Sequence, residues 1–138
     1  MKREELIKVI CAEVLKESNI SKSDMENSNK CGSKTNYVCG LYFLYNDFDE
    51  IIYIGMVGNG PNTSLYHRMK GHGSGSHAVK DSRWYSYVKY GKFHQFKGMT
   101  DRELEQIERL AIAGMNQPVY NDKVDIIQKI VDIIASKI

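Results

Sequence analysis

The chain is short of several things, and each scarcity narrows the reading. No apolar run approaches the ~18 residues a membrane-spanning helix needs. The opening Met1-Lys2-Arg3-Glu4-Glu5-Leu6 lacks an apolar signal core, so a cytoplasmic, intracellular protein is expected. Cysteine is limited to Cys11, Cys31 and Cys39, an odd number with no C-x-x-C pair. That favours neither a disulfide framework nor a zinc cluster, and free thiols in a reducing compartment are expected. No segment reads G-x-x-x-x-G-K-(S/T), and none reads G-x-G-x-x-G after a strand. A nucleotide-binding pocket is therefore disfavoured. Nothing after residue 122 resembles a zinc finger or a helix-turn-helix.

What is present is an ordinary folded composition: 138 residues, 42% hydrophobic and 26% charged, enough for one domain. Charge is unevenly spread. Residues 53–97 carry Arg68, Lys70, Lys80, Arg83, Lys89, Lys92 and Lys97 against Asp81 alone, a local +6 in a chain whose total is +2. The remainder therefore sums to −4. All four histidines, His67, His72, His77 and His94, fall in the basic segment with Trp84 and several tyrosines. That combination fits a polyanion-binding surface, and a solvated loop region fits the charge alone equally well.

The centre of the chain is Gly40 to Gly55. Gly40-Leu41-Tyr42-Phe43-Leu44-Tyr45 and Ile51-Ile52-Tyr53-Ile54 read as strands, joined by the polar turn Asn46–Glu50. Before them, residues 3–17 show helical periodicity through Leu6, Val9, Ile10, Val14 and Leu15. Ser21–Lys30 is polar and reads as a linker or loose loop. After them, Thr63 or Ser64 can cap a helix carrying Leu65, Tyr66, Arg68 and Met69. Gly71-His72-Gly73-Ser74-Gly75-Ser76 is expected to end that helix as a surface loop. A short helix over His77–Tyr87 and a strand over Lys92–Lys97 follow. Trp84 reads as a core anchor.

Thr100-Asp101-Arg102-Glu103 is a capping box opening a helix to about Ala113. At about 100° per residue, Leu104, Ile107, Leu110, Ala111, Ile112 and Met115 share one broad face, and Glu108 falls inside it. A carboxylate there needs a salt bridge, a hydrogen-bond network or a metal. Pro118-Val119-Tyr120-Asn121 leaves the helix extended. Val124, Ile127, Ile130, Val131, Ile134 and Ile138 then form the apolar stripe of a last helix, covering the domain or a second copy as a homodimer.

Taken together these pieces resemble the GIY-YIG nuclease family. Gly40-Leu41-Tyr42 stands for the first motif, with Leu where Ile is usual, and Tyr53-Ile54-Gly55 matches the second. Arg68 with His72 resembles the family's Arg-x-x-x-His, Glu108 with Ala111-Ile112 its catalytic glutamate segment, and Pro118–Asn121 its closing Pro-x-x-Asn. The likeness covers about residues 37–122, with Gly58–Asn62 as an insertion. It implies an α/β (α+β) fold, a small three-stranded antiparallel sheet flanked by helices. Residues 1–36 would be an N-terminal helix and linker, and 123–138 a C-terminal helix.

The resemblance also implies a metal-dependent endonuclease that hydrolyses DNA phosphodiester bonds, with RNA left open. Glu108 would hold Mg²⁺ or Mn²⁺. Arg68 would stabilise phosphoryl charge. Tyr42, or else Tyr53, would orient or deprotonate water, with His72 assisting and Asn121 bracing the site. Lys70, Lys80, Arg83 and Lys89 would contact nucleic acid. The alternative is a catalytically inactive nucleic-acid-binding module of the same fold. Without the resemblance, Tyr42 and Tyr53 read as sheet aromatics and Asn121 as a helix cap.

Overall fold

The computed structural model describes residues 1–74, 83–116, 118 and 134–137. The elements in chain order are helix α1 (Arg3–Leu15), strand β1 (Ile20–Ser21), helices α2 (Lys22–Met25) and α3 (Ser28–Cys31) and strands β2 (Gly40–Tyr45) and β3 (Ile51–Val57). Helix α4 (Leu65–Ser74), a 3₁₀ turn (Arg83–Tyr87), strand β4 (Tyr90–Gln95) and helix α5 (Asp101–Gly114) follow. Residues 134–137 are helical. The fold is α+β, as expected from the resemblance, but the sheet has four strands rather than three, in the order β1-β4-β2-β3 and antiparallel throughout.

Strand β2 lies inside the sheet, and all six of its residues are buried. Successive side chains point to opposite faces, so β2 feeds two cores. Tyr42 and Leu44 join Phe93, Leu65, Met69, Trp84, Tyr85 and Val88 on one face. Leu41, Phe43 and Tyr45 join Ile54, Ile10, Cys11, Val14, Ile107 and Ala111 on the other. The helices therefore form two layers around the sheet, with α1 and α5 on the second face. The β2–β3 turn is built by Asn46, whose Oδ1 accepts from the N–H of Phe48 and of Glu50. Asp49 takes the left-handed conformation that this turn requires (φ 60°).

The polar run Ser21–Lys30 is not a loose linker. Ile20 and Ser21 pair with Gly91 and Tyr90 as the added strand. Ser21 Oγ accepts the Asp24 N–H, and Asn27 Oδ1 accepts the Asn29 N–H, so each short helix is capped. Met25 and Cys31 are fully buried. Met25 lies over Gly91, where a Cβ would come within 2.7 Å of its sulfur. The run looked unanchored because Met25 is its one buried residue, and a single buried residue shows no period. In α1, Ile10, Cys11 and Val14 are buried, whereas Leu6, Val9 and Leu15 are exposed. All three cysteines are free and buried.

Three other boundaries move. The third expected strand, Lys92–Lys97, is Tyr90–Gln95. Within the expected helix over His77–Tyr87, the described part is the 3₁₀ turn. Gly71, His72 and Gly73 do not end α4 as a surface loop but belong to its last turn. Two glycines cost that turn about 2 kcal/mol against alanine. The burial of His72 against aromatic neighbours offsets this. Helix α5 forms as its sequence indicates: Thr100 Oγ1 accepts the Glu103 N–H and Glu103 Oε1 accepts the Thr100 N–H. Among the described residues no helix is long and apolar enough to cross a membrane.

If the Ser21–Lys30 run is structural, Met25→Ala will destabilise the chain by about 2–5 kcal/mol in urea denaturation. Phe48→Ala, at a turn residue that is 81% exposed, will change stability by less than about 0.5 kcal/mol.

Candidate functional site

Tyr42 and Gly55 are partners across β2 and β3. A Cβ at residue 55 would fall on the Tyr42 phenol, so glycine is what lets that ring lie across β3. Gly40 is constrained in the same way, because a Cβ there would meet the His94 carbonyl on β4. The two glycines that flank the tyrosines are thus packing requirements of the sheet.

The Tyr42 ring stacks on Tyr53 with centroids 6.1 Å apart. Its Oη lies 2.8 Å from His72 Nε2, and the imidazole tautomer sets which atom donates. His72 is 3% exposed and meets Tyr53 edge-on at 4.7 Å and Trp84 at 5.0 Å. Trp84 stacks on Tyr53 at 4.8 Å, interplanar 15°. Trp84 is itself buried, in keeping with its reading as a core anchor.

Helix α4 supplies two groups to this place. Arg68 and His72 are four residues apart, on one face of the helix. Ser64 starts the helix: its Oγ accepts the His67 N–H and lies 2.6 Å from His67 Nδ1. That engages His67 at the helix start. Lys70 lies about 200° round the helix from Arg68 and is exposed.

Helix α5 supplies Glu108, half-buried as its place on the apolar face implies. The Met56 main chain, next to Gly55 on β3, hydrogen-bonds its carboxyl. Burial pushes the Glu108 carboxyl up to about 6; Arg68 pulls it down, Glu105 pushes it up, and the Met56 amide and Arg109 also lower it. Arg68 and Glu108 both act on the phenols. Burial raises Tyr42 well above the usual tyrosine range, with Tyr53 and Glu108 adding to the rise and Arg68 opposing it. Burial and then Glu108 push Tyr53 up to about 12, again against Arg68. Tyr42, Tyr53, Arg68, His72 and Glu108 are therefore brought together. Among the described residues neither Arg68 nor Glu108 is in an ion pair.

The remaining sequence candidates stand elsewhere. Lys89 is exposed in the residue before β4, where its N–H bonds the Tyr45 carbonyl at 2.8 Å. That is three residues, about 10 Å, along β2 from Tyr42. Arg83 opens the 3₁₀ turn. Lys80 and Asn121 lie outside the described residues, as does most of the expected C-terminal helix. Among the described residues no three His, Cys, Asp or Glu side chains cluster as a metal cage.

One support escaped the sequence reading. Asp101 Oδ1 accepts from both the main-chain N–H and the Nδ2 of Asn59, each at 2.8 Å, and Asn59 Nδ2 also reaches the Met99 carbonyl. These bonds hold the Asp101 carboxyl below its usual range. They tie the end of β3 to the start of α5, and so help hold Glu108 beside Met56. Asp101 was legible only as part of a capping box, and its partner lies 42 residues away.

The Glu108 environment has a consequence for pH. An acid whose folded pKa lies above its unfolded value favours the folded state only when protonated. The charged carboxylate therefore costs stability well above pH 6, and that cost disappears as pH falls through 6 to 4.5. The difference corresponds to about 2 kcal/mol. Glu108→Gln will be more stable than the wild type by up to about 2 kcal/mol above pH 6, and the gap will close below pH 4.5 in a urea–pH series. A gap independent of pH would contradict this environment for Glu108. No family model matches the chain, and neither a curated protein nor a solved structure matches it.

Proposed function

We propose that the chain is a divalent-metal-dependent endonuclease that hydrolyses phosphodiester bonds in DNA, and that its resemblance to GIY-YIG nucleases reflects common chemistry. The observation that carries this reading is an arginine and a half-buried glutamate that act on the same two phenols without pairing with each other. An arginine and an acid kept for stability alone would gain most by closing on one another. Held apart, they suit a group that needs both a cation and an acid beside it, as a phosphodiester with its metal does.

The roles follow from the chemistry of each group. Arg68 is permanently charged and presents a planar fork, which fits the non-bridging oxygens of a phosphodiester. It would stabilise the charge that grows there in the transition state. Glu108 offers a hard oxygen donor that burial has left short of counter-charge, a fit for Mg²⁺ or Mn²⁺, which take few protein ligands and keep several waters. When bound, the ion supplies positive charge at the phosphoryl group and the departing oxygen.

Tyr42 presents a harder problem. A buried phenol far above its usual pKa is a poor base if it must first become phenolate. Its contact with His72 offers a way round this. As Tyr42 takes a proton from water it can give its own to His72 Nε2, so that phenolate never accumulates. Tyr53, half-buried and stacked on Tyr42, would then orient the water and fix the Tyr42 ring. Lys70, Lys80, Arg83 and Lys89 would add sequence-independent contacts to the backbone phosphates.

The test is nicking of supercoiled plasmid with Mg²⁺ or Mn²⁺. Glu108→Ala, Arg68→Ala and Tyr42→Phe will each lower the rate at least about 100-fold, with the fold checked by circular dichroism. Excess Mg²⁺ will raise the melting temperature of the wild type and leave Glu108→Gln unmoved. Nicking that survives both Glu108→Ala and Arg68→Ala would overturn the site. Binding of DNA without nicking under either metal would leave the inactive binding module as the function.

A further inference from the structure

The sheet is unevenly finished along β4. Strand β1 covers it only through Ile20↔Gly91 and Ser21↔Tyr90, with the Lys22 N–H reaching the Lys89 carbonyl at 3.1 Å. Strand β4 runs on to Gln95 with no further strand on that side among the described residues. Along an antiparallel strand, main-chain groups turn alternately toward and away from the neighbour. The Phe96 N–H bonds the Cys39 carbonyl on the β2 side. With Gln95 opposite Gly40 and Phe93 opposite Tyr42, the N–H and C=O groups of Phe93 and Gln95 therefore face outward.

That open edge borders a groove of about 510 Å³, bounded also by Tyr37, Lys34, Lys97 and Glu17. Tyr37, partly exposed, gives it an aromatic wall, its ring 5.4 Å from that of the buried Phe93. The Glu17 carboxylate is taken up by His94 Nδ1 at 2.9 Å. Lys34 and Lys97 are exposed and, among the described residues, in no ion pair. The groove's uncommitted charge is therefore positive. Sheet edges are normally paired, covered or blunted because they template further strands, yet among the described residues this one has no further strand and has an aromatic wall and two cations outside any ion pair beside it.

We infer that the β4 edge groove is a strand-addition site for an extended, acidic segment of a partner protein. Such a segment would pair its main chain with Phe93 and Gln95, lay an apolar side chain on Tyr37, and bring carboxylates to Lys34 and Lys97. The four residues Lys92–Gln95 offer about 13 Å of edge. A single nucleic-acid strand would satisfy the lysines but leave the outward amides without strand partners, so the geometry favours peptide. This inference does not depend on the nuclease reading.

The experiment is a nitrogen-15 NMR titration of the full chain with a blocked synthetic peptide of alternating Glu and Val/Thr residues, and in parallel with oligothymidylate. The expected result is saturable peptide binding with the Phe93 and Gln95 amides shifted and protected from exchange. Affinity will fall at least about tenfold in Lys34→Glu/Lys97→Glu. Gln95→Pro, which removes an outward N–H, will weaken binding as well. The two lysines are exposed, so their reversal keeps the test decisive should Gln95→Pro fail to fold. No protection at millimolar peptide, equal affinity in the lysine variant, or oligothymidylate binding the same residues more tightly would each overturn the inference.

Discussion

The site depends on the absence of a side chain. Because Gly55 has no Cβ, the Tyr42 ring can lie across β3. From there its hydroxyl meets His72, and its face meets Tyr53. An alanine at residue 55 would force the ring, the strands or α4 to give way, and a close-packed interior gives way reluctantly. Two strands, a helix and an aromatic stack are thereby placed by one contact. Arg68 is carried in on the helix that the contact holds, and Glu108 arrives from the far side, seated against the main chain next to that same glycine.

Much of this was legible because the determinants are local. The hairpin was visible in Asn46 and Asp49, whose side chain and left-handed backbone make the turn. Helix α5 announced itself through a capping box and a broad apolar face, and Glu108 stood out because it broke that face. The parts that were missed are those fixed by distant partners. Met25 shows no periodicity, and its burial is explained by core partners far along the chain, Gly91 among them. Gly71 and Gly73 are poor helix formers, and the His72–Tyr42 bond and the packing of Tyr85 near Gly73 support their helical state from distant parts of the chain. The added strand, β1, is two residues long, below what any pattern could signal.

The electrostatics of the site are set by what it excludes. Water is largely kept from Tyr42 and His72, so an isolated charge on either is costly. Glu108 sits nearer the edge, and its carboxyl titrates at about 6, within reach of ordinary working pH. A buried phenol–imidazole pair on one side, and an acid and an arginine on the other, divide the place into an apolar half and a polar half. Strand β3 is the element at which the two halves meet.

The stack on Tyr53 gives the molecule an unplanned optical property. Trp84 is the chain's one indole, and it lies flat on one of the two phenols and edge-on to the buried imidazole. Its emission will therefore respond to events at that ring pair rather than to a general average over the molecule. Protonation of His72, or any shift of Tyr53, would change the quenching of a fluorophore already in place. The protein thus carries its own light-emitting gauge at the very point where the chemistry is proposed to occur, with no dye to attach.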